Sequence, residues 1–112
     1  MNEIKEIIQE IVKFRDERDW EQFHDSKNLS TAISIEAGEL NELFLWKSVA
    51  ESEKVEKARI QEELADILIF SFLLAHKHKF NVKEIIQKKI SKNSEKYPVE
   101  KAKGNAKKYT DL

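Results

Sequence analysis

Glu62-Glu63-Leu64-Ala65-Asp66-Ile67-Leu68-Ile69-Phe70-Ser71-Phe72-Leu73-Leu74-Ala75 is the stretch on which the fold turns. From Leu64 to Ala75 only Asp66 and Ser71 are polar. A helix that is apolar on every side is buried on every side, so this run is expected at the centre of the fold, within a helix from about Val55 to His78. Twelve residues with one carboxylate among them are too short to span a bilayer, and no membrane partner is expected.

Working outward, Ile4, Ile7, Ile8, Ile11 and Val12 recur at three- and four-residue spacing and predict an amphipathic helix over about residues 2 to 18. Asp19 to Asn28 loses that period and is read as a loop. Leu29, Ile33, Leu40, Leu43 and Phe44 share one side of a second helix, from about Asn28 to Lys47, followed by a polar connection from Ser48 to Lys54. Asn81, with Glu84 three residues on, marks the start of a fourth helix that stops near Tyr97, because Pro98 disfavours its continuation. These elements predict an all-α, four-helix-bundle-like protomer with antiparallel helices over residues 1–97 and a Lys-rich tail over 98–112.

Composition agrees. The chain has 112 residues, 20 Lys and Arg against 21 Asp and Glu, two Gly, one Pro and no Cys. A net charge of -1 offers nothing to a polyanion, so no nucleic-acid partner is expected. The absence of cysteine rules out disulfide and thiolate-metal frameworks. The charged start, Met1-Asn2-Glu3-Ile4-Lys5-Glu6, lacks a signal-peptide core, and a cytoplasmic location is expected. A helical chain of this size rarely closes a full core alone, so a homodimer or homotetramer is expected.

Function must then come from a site, and the candidates are carboxylates. With Ile33 at 0° on a helical wheel, Leu40 falls at about 340°, Leu43 at about 280° and Glu36 at about 300°, which places Glu36 inside the apolar arc. Glu39 lies one turn away, at the arc's margin. Glu63 and Asp66 repeat the three-residue spacing, with Asp66 in the most apolar run of the chain. An isolated ExxE in a charge-rich helix is ordinarily a solvated face. Two pairs, one set in an apolar run, reverse that expectation. Such acids must be protonated, paired with Lys or Arg, or bound to a cation, and all-oxygen ligation suits Mg²⁺, Mn²⁺ or Ca²⁺. Gly38, between the pair, is costly inside a helix and points to a close approach by another backbone or a ligand.

The segments Ile35-Glu36-Ala37-Gly38-Glu39-Leu40 and Glu62-Glu63-Leu64-Ala65-Asp66-Ile67-Leu68 resemble the paired metal motifs of MazG-like nucleotide pyrophosphohydrolases. Glu17 to His24, Leu43 to Lys47, Asn93 with Tyr97-Pro98, and Lys108 to Leu112 extend the resemblance, most closely to the dCTP pyrophosphatase branch, over about residues 14 to 112. The resemblance implies Mg²⁺-dependent hydrolysis of a (deoxy)nucleoside triphosphate, dCTP or a related or modified dNTP, to monophosphate and pyrophosphate, with Mn²⁺ as a substitute ion. It implies Glu36, Glu39, Glu63 and Asp66 as metal ligands and catalytic acids. Trp20, His24, Trp46, Phe70 and Tyr97 would surround the nucleoside, and Lys89 and Asn93 would contact the substrate. It further implies nucleotide-pool house-cleaning by a homo-oligomer. Two positions depart from the pattern: Ile35 replaces a second acid, and Phe70 replaces a Tyr, leaving a ring that stacks without donating.

Two rivals are set beside this reading. A di-iron carboxylate bundle needs two inward Glu-x-x-His motifs, and only Glu21 to His24 fits, in a predicted loop. A non-catalytic helical interaction module would leave the acids solvated, but no sustained heptad supports a coiled coil.

Overall fold

The computed structural model describes residues 2–112. Among the described residues there are six α-helices, two 3-10 turns and no strand. The chain divides into two compact units, one ending at Lys79 and the other running from Phe80 to Leu112.

In the first unit, α1 (Glu3–Glu17) opens on Asn2, whose side chain accepts the Lys5 N–H at 2.8 Å. A 3-10 turn (Glu21–Phe23) leads to α2 (Ser26–Glu42), capped by Asp25 accepting the Asn28 N–H at 2.7 Å. These side chains satisfy donors that a helix start leaves orphaned, each cap contributing about 1 kcal/mol. After α3 (Val49–Ser52) comes α4 (Lys57–Lys77), which carries the apolar run and packs chiefly on α2 and also on α1. Leu29 (1% exposed), Ile11 and Leu73 form the buried centre, with Val12, Ile69, Phe70 and Phe72 against them. Ser26 Oγ lies 2.8 Å from His78 Nε2, tying the first turn of α2 to the end of α4.

Several sequence expectations change here. Helix α2 starts at Ser26 rather than Asn28, because Asp25 supplies the cap. It ends at Glu42 rather than Lys47: the Leu43 N–H reaches back to the Leu40 carbonyl, tightening the last turn, and Trp46 adopts φ 64°, which no continuing helix allows. The Ser48–Lys54 connection contains α3, held by a full capping box in which the Glu51 N–H donates to Ser48 Oγ and the Ser48 N–H to Glu51 Oε1. Those bonds, the backbone one first, hold the Glu51 carboxyl below its usual range. The run in α4 is not enclosed all round. Leu64 and Leu68 are each 45% exposed, since α1 and α2 leave one of its faces open. A Cβ on Gly38 would meet nothing within 4 Å, so no close approach inside this chain explains that glycine.

In the second unit, α5 (Val82–Lys96) begins where Asn81 accepts the Glu84 N–H at 3.0 Å and ends at Tyr97, before Pro98. A short α6 (Val99–Ala102) and a 3-10 turn (Tyr109–Asp111) follow. The tail docks: Tyr109 meets Tyr97 edge-to-face at 6.0 Å, and the Lys96 ammonium sits 4.8 Å from its ring centre. Among the described residues no helix is long and apolar enough to cross a membrane.

Candidate active site

Helix periodicity puts Glu36 and Glu39 one turn apart on α2, and Glu63 sits on α4, the helix α2 packs against. One carboxylate oxygen from each of these three residues lies within 4.8 Å of the other two. Oε2 of Glu36 and Oε2 of Glu63 are buried without a hydrogen-bond partner. Burial, then the neighbouring Glu39 carboxylate, then Asp66 and Glu63 push the Glu36 carboxyl up to about 7. Burial and the same Glu39 neighbour, followed by Asp66 and Glu62, raise Glu63. Buried acceptors of like charge with no donors beside them are an unfavourable arrangement that a divalent cation relieves, and an all-carboxylate set suits a hard one. The donor set therefore fits Mg²⁺ or Mn²⁺.

Asp66 stands outside that triple but within its electrostatic reach, because its charge contributes to the raised Glu36 and Glu63. It also lines a cavity of about 270 Å³ together with Arg15, Trp20, His24, Phe70 and Leu73. The acids and the cavity thus share a wall at Asp66. His24 meets Phe70 edge-to-face at 6.3 Å. Burial first, then the Arg15 cation, lower the His24 pKa, which keeps the imidazole neutral at physiological pH, and its buried Nδ1 has no hydrogen-bond partner. Trp20 is fixed by its own N–H donating to the Arg15 carbonyl at 3.1 Å and by an edge-to-face contact with Phe14 at 5.8 Å. Arg18 stacks over the Phe14 ring at 3.7 Å.

Of the residues singled out from sequence, Glu36, Glu39 and Glu63 come together, and Trp20, His24, Asp66 and Phe70 come together around the adjoining cavity. Trp46 is not brought to either group: its side chain is 92% exposed. Lys89 and Asn93 are exposed on α5, and Tyr97 ends that helix with its ring on Tyr109. Sequence reasoning misses Arg15. Its signal is legible, since it continues the Ile4, Ile8, Ile11 stripe one turn beyond Ile11 and is a cation on a buried face.

Fold and site together define an all-α protein with a carboxylate cluster, whose donor set fits a hard cation, beside an aromatic-walled cavity. The chain matches the MazG-like family over residues 31–112 and belongs to it. It is 45% identical over 105 residues to dCTP pyrophosphatase 1 of Rattus norvegicus, an alignment covering 89% of this chain and 62% of the relative. The corresponding protein of Homo sapiens is 40% identical with the same coverage. The chain thus spans less than two thirds of the length of these relatives. A pyrophosphatase from Archaeoglobus fulgidus, known from a crystal structure, is 37% identical and superposes with a TM-score of 0.83, covering 88% of this chain and 94% of that one.

Proposed function

We propose that this chain is a Mg²⁺-dependent nucleotide pyrophosphohydrolase that converts a (deoxy)nucleoside triphosphate, dCTP or a related or modified dNTP, to monophosphate and pyrophosphate. The observation that carries the reading is the pair of buried, unpartnered carboxylate oxygens on Glu36 and Glu63, next to a cavity walled by Trp20, His24 and Phe70. The relatives named for dCTP and the pyrophosphatase neighbour support the reaction class.

Glu36, Glu39, Glu63 and Asp66 would hold the ion, which when bound neutralises triphosphate oxygens and lowers the cost of charge in the transition state. The aromatic rings stack the base. A carboxylate of the cluster, Glu36, orients a water in line with the α–β linkage and accepts its proton. The water oxygen bonds to the α-phosphorus as the bridging α–β bond breaks, and pyrophosphate departs with that bond's electron pair. Trp46 belongs to the substrate set in this reading.

The enzyme acts as a homodimer or homotetramer, cytoplasmic and dedicated to nucleotide-pool house-cleaning. Self-association is supported by Ile7, Phe14, Leu64 and Leu68, each more than two-fifths exposed, three of which are apolar aliphatic side chains otherwise left in water.

The test is pyrophosphate release from a panel of canonical and modified dNTPs, with Mg²⁺ and with EDTA, for the wild type and for Glu39→Gln and Asp66→Asn. Release that needs the metal and is lost in both variants, with their helicity intact, is expected. Release from no nucleotide would return the chain to the interaction-module reading, and full activity in either variant would overturn the ligand set.

A further inference from the structure

Arg15 is the one buried charged residue among the described residues, at 7% exposure. A guanidinium carries five N–H donors in a rigid fork. Here Nε donates to Asp16 Oδ1 at 2.8 Å, and Nη2 reaches the same oxygen at 2.7 Å and Glu21 Oε2 at 3.6 Å. Among the described residues no hydrogen bond or ion pair engages Nη1. The main chain beneath it is fixed as well, since the Arg15 carbonyl accepts the Arg18 and Trp20 backbone N–H groups at 3.2 and 3.1 Å. Arg15, its guanidinium anchored through Nε and Nη2 and its Nη1 amino group unused, lines the same cavity as Trp20, His24 and Phe70.

Resting on the nucleotide-hydrolase reading above, we infer that Arg15 is a specificity-determining residue of this cavity, donating from Nη1 to an acceptor atom on the edge of the bound nucleobase. Two observations favour the base over the phosphates. The Arg15 charge already faces the carboxylates of Asp16 and Glu21, so it offers the ligand a donor rather than an uncompensated cation. Apart from His24 and Asp66, the residues around Arg15 in this cavity are aromatic and apolar, which suits a flat base better than a polyphosphate. His24 Nδ1, also unpartnered, gives the cavity a second polar contact. The ligand class is a nucleotide whose base turns a carbonyl oxygen or an unprotonated ring nitrogen toward α1. Analogues lacking that acceptor forgo this hydrogen bond, and the bound base shuts the donor off from water, so they bind more weakly.

The experiment measures kcat and KM over a dNTP panel for wild type, Arg15→Met and Arg15→Lys, with melting temperatures and with binding of inorganic pyrophosphate in the presence of Mg²⁺. Arg15→Lys retains a cation opposite Asp16 and serves where the Met variant fails to fold. Expected is a KM raised about 10- to 100-fold for the preferred nucleotide, a flattened ranking of bases, kcat within a few-fold of wild type, and unchanged pyrophosphate binding. A folded Arg15→Lys with wild-type KM and ranking overturns the inference, as does selective loss of pyrophosphate binding, which would put Arg15 on a phosphate. If the wild type turns over no nucleotide, the parent reading falls and this one with it; if it does, only the variants decide.

Discussion

Glu36 and Trp46 are the residues at which local chemistry and local strain show most clearly. The Glu36 carboxyl is raised from an ordinary 4.5 to about 7 by burial and its acidic neighbours, so between those values the folded chain binds a proton that the unfolded chain does not. For this raised pKa the contribution to stability is fully present below about pH 4.5 and is lost as pH rises toward 7. In EDTA, the wild type should therefore lose stability relative to Glu36→Gln as pH rises through that window, read as the gap between urea midpoints, and Mg²⁺ above the window should restore it. Parallel midpoints across the window would show that Glu36 is not coupled to the other acids. Trp46 combines φ 64° with a side chain 92% exposed. A bulky residue in the left-handed region is strained by about 1 kcal/mol or more, and little burial offsets it here. Trp46→Gly should hold or raise the melting temperature while weakening nucleotide binding; a variant with wild-type KM would remove Trp46 from the proposed substrate set.

At the scale of elements, the long helices are readable because periodic apolar residues and side-chain caps are local signals. Asn2, Asp25 and Asn81 all cap as their types allow. The Ser48-Val49-Ala50-Glu51 box is equally local, yet it reads as loop for want of apolar residues after it. The early end of α2 is not legible, since Leu43 and Phe44 keep the helical period after the backbone has turned away. Leu43 is still buried there, at 8%. The acid pairs are legible from spacing, whereas their meeting across α2 and α4, and the way Asp66 joins them to the cavity, require tertiary packing. Gly38 gives a test at this scale. An alanine methyl there would have nothing within 4 Å, so Gly38→Ala should stabilise α2 by about 1 kcal/mol, measured by chemical denaturation of dilute, metal-free protein. A loss of stability would reveal an approach to Gly38 from outside the chain.

For the whole molecule, the open face along α1 and α4 sets the expected behaviour in solution. It forms a groove of about 440 Å³ lined by Ile7, Phe14, Leu68 and Phe72, almost without polar atoms. The proposed homo-oligomer covers such a face, and Leu68→Glu should shift the sedimenting species toward monomer; an unchanged mass would place any interface elsewhere. The acids, the aromatic cavity and the family membership converge on the proposed cleavage between the α and β phosphates. That cleavage is tested most directly by phosphorus NMR of dCTP incubated with the protein and Mg²⁺ in heavy-oxygen water. The account predicts deoxycytidine monophosphate carrying the heavy oxygen together with unlabelled pyrophosphate. Label in the pyrophosphate, a diphosphate with orthophosphate, or intact triphosphate with dCTP and every other dNTP offered would contradict it.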